Sequence, residues 1–91
     1  MAHTYSIKVK GRVQGVFYRQ SAREKAEELG LTGVVKNEDD NGVGIIASGS
    51  KEQLDQLVKW CWQGPPRAEV DQVEIEEIPV QNFDDFRIIR R

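Results

Sequence analysis

A strand that passes directly into a helix, through Gly11-Arg12-Val13-Gln14-Gly15-Val16-Phe17-Tyr18-Arg19, constrains this chain more than any other stretch. Upstream, Tyr5, Ile7, Val9, Gly11 and Val13 alternate with Ser6, Lys8, Lys10 and Arg12, the two-residue period of a half-buried strand. Downstream, Tyr18, Ala22, Ala26 and Leu29 recur at helical spacing. The turn between them is short and holds Gly15, which takes positive φ freely and lets successive amide N–H groups point at one spot. Arg19 then falls in the first helical turn, where the positive end of the macrodipole disfavours a cation. An anion held jointly by the loop amides and the Arg19 guanidinium removes that conflict. A glycine at a strand–helix turn is common, and most surface arginines only solvate a helix. The position of the arginine is what points to an anion site.

This stretch resembles the phosphate-cradle signature of acylphosphatases, and Gly33-Val-Val-Lys-Asn37 with the run on to Gly49 resembles that family's second signature. The two occur in the family's order and spacing, and the resemblance covers nearly the whole chain. It implies hydrolysis of small-molecule acyl phosphates to a carboxylate and inorganic phosphate. Matched residue by residue, Arg19 stands at the family's phosphate-binding arginine and Asn37 at its water-positioning asparagine. The amides of Gly15, Val16, Phe17, Tyr18 and Arg19 stand at its cradle. Phosphate or sulfate is accordingly expected to occupy the loop and inhibit. From its surroundings alone, Asn37 is a turn residue at a strand end; its offset within the second signature assigns the role. Several positions depart from the family's pattern. Tyr18 stands where phenylalanine is typical, Val34 replaces an aromatic, Asn41 occupies a glycine position, and Arg90-Arg91 ends a chain that often closes on an aromatic. None touches Arg19 or Asn37, but the conformation of the 37–42 hairpin is left open.

Ninety-one residues suit one domain, 1–91, with one core and a single layer of helices. Hydrophobic content of 38% beside 31% charged residues describes an ordinary water-soluble chain. No apolar run approaches the ~20 residues that span a bilayer. Met1-Ala2-His3-Thr4 lacks a basic stretch followed by an apolar one, so a cytoplasmic location without membrane association is expected. Cys61 is the only cysteine and His3 the only histidine, which argues against a disulfide, a zinc centre and a histidine-based triad. No metal or other cofactor is expected. The net charge of −2 argues against a nucleic-acid partner. Lys8, Lys10, Arg12, Arg19 and Arg23 crowd the first quarter, and a positive mouth on an acidic protein favours a small anion. A monomer is expected.

The first helix is predicted from about Phe17 to Leu29, with Gly30 as its left-handed C′ residue. Leu31–Lys36 and Gly42–Ser48 read as the next strands, joined through Asn37-Glu38-Asp39-Asp40-Asn41, where Asn41-Gly42 can hold positive φ. That acidic turn lacks the ligand spacing and closing glutamate of a calcium loop. A second helix opens on a Ser50–Gln53 capping box and stops at Gly64-Pro65-Pro66. Its apolar stripe is Leu54, Leu57, Val58 and Cys61, with Trp60 and Trp62 covering the edges, so Cys61 is an inert core thiol. Val70–Val80 supplies a fourth strand, Val73 and Ile75 inward and Val70 across a bulge, and Phe86–Arg90 a short last one.

The order β-α-β-β-α-β plus a final strand is α+β, the ferredoxin-like split βαβ plan. It implies an antiparallel sheet with both helices on one face and the other face largely open. The fold alone selects no function. An RNA-binding module on the open face would need aromatics on the central strands; Val43–Ala47 has none and the first strand only Tyr5. An anion-sensing domain without turnover would keep the cradle but has no use for Asn37.

Overall fold

The two-residue period of the first strand is realised as β1 (His3–Arg12), with Tyr5, Ile7 and Val9 buried and Lys8 exposed. In the computed structural model, which describes residues 1–90, there follow α1 (Tyr18–Glu28), β2 (Thr32–Asn37), β3 (Val43–Gly49), α2 (Lys51–Gln63), β4 (Glu69–Ile78) and β5 (Phe86–Ile89). One sheet contains all the strands, in the order β4-β1-β3-β2-β5. β1 is antiparallel to both its neighbours, β3 and β4, and β2 is antiparallel to β3. Each helix therefore links two parallel strands that have a third between them, as the element order predicts. The short fifth strand makes the sheet mixed rather than wholly antiparallel. It pairs in parallel with β2, from Gly33 opposite Phe86 to Lys36 opposite Ile89.

The chain must cross from one edge of the sheet to the other to reach that position, and residues 79–85 make the crossing. Gln81 is its anchor. Its N–H donates to Thr4 Oγ1 at 2.9 Å, and its carbonyl accepts from Ser48 Oγ at 2.7 Å. Thr4 and Ser48 are cross-strand partners in β1 and β3, with hydroxyls 2.7 Å apart. Both are buried and both are satisfied, which is what burial of a hydroxyl demands. They lie on the face away from the helices, so that face is covered at this end rather than open throughout.

The core fills the space between sheet and helices. Ile7, Val9, Val35 and Ile45 meet Ala22 and Ala26 of α1 and Leu54, Leu57 and Cys61 of α2, all fully or almost fully buried. The alanines let α1 approach the sheet closely. Gly30, at φ 80°, ends this helix: its N–H donates to the Glu27 carbonyl and that of Leu31 to Ala26. Gln53 N–H donates to Ser50 Oγ at 3.1 Å and Ser50 N–H to Gln53 Oε1 at 2.9 Å, so α2 opens on the expected capping box. Two apolar residues depart from expectation. Val73 packs on the core, but Ile75, further along the same edge strand, is 46% exposed. Trp60 packs against Tyr18 in a tilted pair, ring centroids 5.2 Å apart and planes at 52°, whereas Trp62 projects into solvent.

A bulge in β4 interrupts its pairing with the end of β1. The β1–β4 register shifts between Lys10 and Gly11, so that Lys10 faces Gln72, Gly11 faces Val70, and Asp71 is left over. Gly11 has φ 131°, and a Cβ there would collide with the Glu69 carbonyl. Among the described residues no helix is long and apolar enough to cross a membrane. Arg91, part of the unusual basic ending, lies outside the described residues.

Candidate active site

Val13 and Val16 are buried on either side of Gln14 and Gly15, which pins the β1–α1 loop to the core while its backbone stays at the surface. Gly15 has φ 75°, and a side chain there would meet nothing within 4 Å, so conformation alone calls for glycine. Phe17 corrects the sequence expectation. It is not the first helical residue but the N-cap of α1, in the left-handed region at φ 65°, ψ 22°. For a non-glycine residue this costs roughly 1–2 kcal/mol. No burial offsets it, since Phe17 is 74% exposed. Left-handed residues on both sides of Val16 curl the loop into a concave row of amides. The first turn of α1 has no side-chain cap and no acidic residue. Its leading N–H groups therefore face outward without a side-chain acceptor, the arrangement an anion satisfies.

A cleft of about 410 Å³ opens over this loop. Gly15, Phe17, Tyr18 and Arg19 line it from one side, Asn37 from the end of β2, and Ile88 and Arg90 from the C-terminal segment. Topology explains the meeting. β1, β2 and β5 all run antiparallel to β3, so their C-terminal ends lie at the same end of the sheet. Val9, Val43 and Asn37 stand in one cross-strand row there. Of the residues predicted from sequence, Gly15, Phe17, Tyr18, Arg19 and Asn37 line the cleft. Val16 is buried beneath it and can contribute only backbone. Among the described residues, the charged ones of the lining are Arg19 and Arg90, with no carboxylate, so this lining is electropositive in an acidic chain.

Among the described residues, the carboxamide oxygen of Asn37 is buried and has no hydrogen-bond partner. A buried carboxamide oxygen normally accepts a hydrogen bond, and Asn37 is also one of the residues that line the cleft. Gln14 is the residue that sequence reasoning missed. Its Nε2 donates to the Glu38 carbonyl at 2.9 Å and to the Gly42 carbonyl at 2.8 Å, across the loop and onto the β2–β3 hairpin. No local signal in the sequence could name those acceptors, 24 and 28 residues away. The hairpin itself is closed by Glu38 N–H donating to the Gly42 carbonyl, with Asn41 at φ 72° in the left-handed region.

Other titratable groups stand apart. The Tyr18 hydroxyl donates to the Cys61 carbonyl at 2.7 Å, and burial pushes its phenol well above the ordinary tyrosine range. Burial also pushes the Cys61 thiol up to about 12, so it is no nucleophile. His3 pairs with Glu77 at the far end of β1. Among the described residues no group of three or more His, Cys, Asp or Glu side chains is placed to hold a metal ion.

Fold and cleft together define a small α+β domain with an arginine-lined cleft over the loop at the C-terminal end of its first strand. Comparison with known proteins narrows the class. The acylphosphatase family model matches residues 5–88. An acylphosphatase of Coxiella burnetii is 49% identical over 82 residues, 90% of this chain and 86% of the relative. One from Marinobacter nauticus is 51% identical over 84 residues, 91% of either chain. The solved structure of an acylphosphatase from Coxiella burnetii superposes with a TM-score of 0.94 at 45% identity, covering 97% of this chain and 93% of that one. The chain belongs to the acylphosphatase family.

Proposed function

We propose that this protein hydrolyses acyl phosphates to a carboxylate and inorganic phosphate without a metal ion, residues 1–91 acting as one catalytic domain. The amides of Gly15–Arg19 and the Arg19 guanidinium hold the phosphoryl group, and Asn37 holds the attacking water. The observation that carries this reading is the meeting of Asn37, Arg19 and the amide loop at one cleft, with the Asn37 carboxamide oxygen unpartnered among the described residues. That oxygen accepts a hydrogen bond from water and turns a lone pair of the water toward phosphorus. A P–O bond forms as the bond to the acyl oxygen breaks, and the carboxylate leaves with the electron pair. The second proton of the water passes to a phosphate oxygen. The leaving carboxylate's conjugate acid has a pKa of roughly 4, so departure needs no general acid. Phosphoryl transfer depends mainly on positioning and on stabilising charge at the equatorial oxygens. A row of amides and a planar guanidinium supply both. The acyl end of the substrate meets Phe17, Ile88 and Arg90.

The test separates binding from chemistry, using acetyl phosphate for turnover and inorganic phosphate for calorimetry. Asn37→Ala should bind phosphate almost normally while turnover falls roughly 100- to 1,000-fold, the usual loss when one preorganised polar group is removed. Arg19→Ala should lose both. Near-full turnover in folded Asn37→Ala would reduce the asparagine to a turn former, and undiminished phosphate binding in Arg19→Ala would remove the anion site.

A further inference from the structure

We infer that Gln14 is a positioning residue for Asn37: its carboxamide ties the hairpin that carries Asn37 to the phosphate-binding loop. This rests on the assignment of Asn37 to the attacking water. Asn37 lies in the last cross-strand row, opposite Val43, and residues 38–42 overhang the sheet beyond it. There the backbone ladder no longer fixes the hairpin to β1. Gln14 takes over. Both hydrogens of its Nε2 are used, one on the Glu38 carbonyl at 2.9 Å and one on the Gly42 carbonyl at 2.8 Å. Those carbonyls stand at the two ends of the turn that Glu38 N–H closes onto Gly42. Glu38 adjoins Asn37 in sequence, and Gln14 adjoins Gly15. One side chain thus spans from the water-holding residue's neighbour to the neighbour of the phosphate-holding loop.

The chemistry of the bridge is selective. A neutral –NH₂ offers two donors from one atom to two carbonyls; a carboxylate offers none and would repel both. In-line attack is sensitive to position: a misplacement of about 1 Å can cost roughly 100-fold in rate. Phosphate affinity should not depend on this bridge, because the amides and Arg19 hold the anion from the other side of the cleft. A residue needed only for folding would lower stability without choosing between turnover and binding.

The experiment is a double-mutant cycle, with acetyl phosphate turnover, inorganic phosphate binding and thermal melting measured on each protein. Gln14→Met keeps the length of the side chain and removes both donors. In the wild-type background it should lower kcat by roughly 10- to 100-fold, with KM and phosphate Kd within about twofold. In the Asn37→Ala background the same change should lower kcat by less than about twofold, since nothing remains to be positioned. If Gln14→Met does not fold, Gln14→Asn, which retains the –NH₂ one methylene short, carries the same cycle with a loss of about 3- to 10-fold in the wild-type background alone. Equal losses in both backgrounds, parallel loss of phosphate binding, or unchanged kcat beside an inactive Asn37→Ala would overturn the inference while leaving Asn37 in place. Full turnover in Asn37→Ala would instead overturn the assignment of Asn37, and this inference with it.

Discussion

Replacing Tyr18 with phenylalanine removes one oxygen and tests how the two helices are joined. The Tyr18 hydroxyl donates to the Cys61 carbonyl at 2.7 Å inside the core. Within α2 that carbonyl would pair with the N–H four residues on, but residue 65 is proline and has none. Tyr18 therefore caps a helix end that cannot cap itself. Phenylalanine keeps the ring packed against Trp60 and loses only the hydrogen bond. An unpaired buried carbonyl costs about 1–3 kcal/mol, and relief from burying the hydroxyl leaves a net of roughly 1–2 kcal/mol. In a domain of this size each kcal/mol moves Tm by ~4–8 °C, so Tm should fall by roughly 5–15 °C. The urea m-value should stay constant, because the surface exposed on unfolding is unchanged. Turnover of acetyl phosphate should also persist, since the Tyr18 backbone, not its hydroxyl, serves the loop. A Tm within about 2 °C of the parent would refute Tyr18 as the cap. Lost kcat at a temperature where both proteins are folded would refute the separation of cap from site.

Arg19→Lys should weaken phosphate binding by about tenfold or more, because an ammonium lacks the bidentate fork; calorimetry giving parental affinity would count against the guanidinium contact. Phosphate release from acetyl phosphate should be unaffected by EDTA, and a loss restored by a divalent cation would contradict the metal-free mechanism. Alkali should unfold the protein through its buried acids. Burial raises the Cys61 thiol from 9.0 to about 12 and lifts the Tyr18 phenol above its ordinary 10.0, so both ionise first in the unfolded chain. Their contribution is complete below about pH 9 and drains as pH climbs toward 12, by up to about 1.4 kcal/mol per pH unit and group. Urea titrations between about pH 8 and 11 should show a flatter decline in Cys61→Ala, and an identical slope would show that the thiol ionises alike in the folded and unfolded states, so that burial does not hold it protonated.

Much of this protein is written locally. Alternation in β1 marked the buried face, the Ser50–Gln53 box and Gly30 set helix ends, and Gly15 marked the left-handed turn, each within a few residues of its effect. Arg19 and Asn37 stood out because two signatures occur at a family's spacing, and the structure brings both residues to one cleft. Helix periodicity misplaced Phe17 because the i, i+3, i+4 pattern is satisfied from Tyr18 onward and carries no information about the φ of the residue before it.

What the sequence by itself determined, then, are the faces, caps and turn that follow from burial period and backbone freedom over a turn or less. Tertiary structure alone decided which ends meet. The parallel seat of β5 beside β2 depends on a crossing pinned by Thr4, Ser48 and Gln81, which are far apart in the chain. Gln14 finds its acceptors 24 and 28 residues away, and Tyr18 its acceptor 43 residues away. A single glutamine or tyrosine offers donors without naming their partners. Only the folded sheet, which brings the C-terminal ends of β1, β2 and β5 together, supplies the carbonyls they bind.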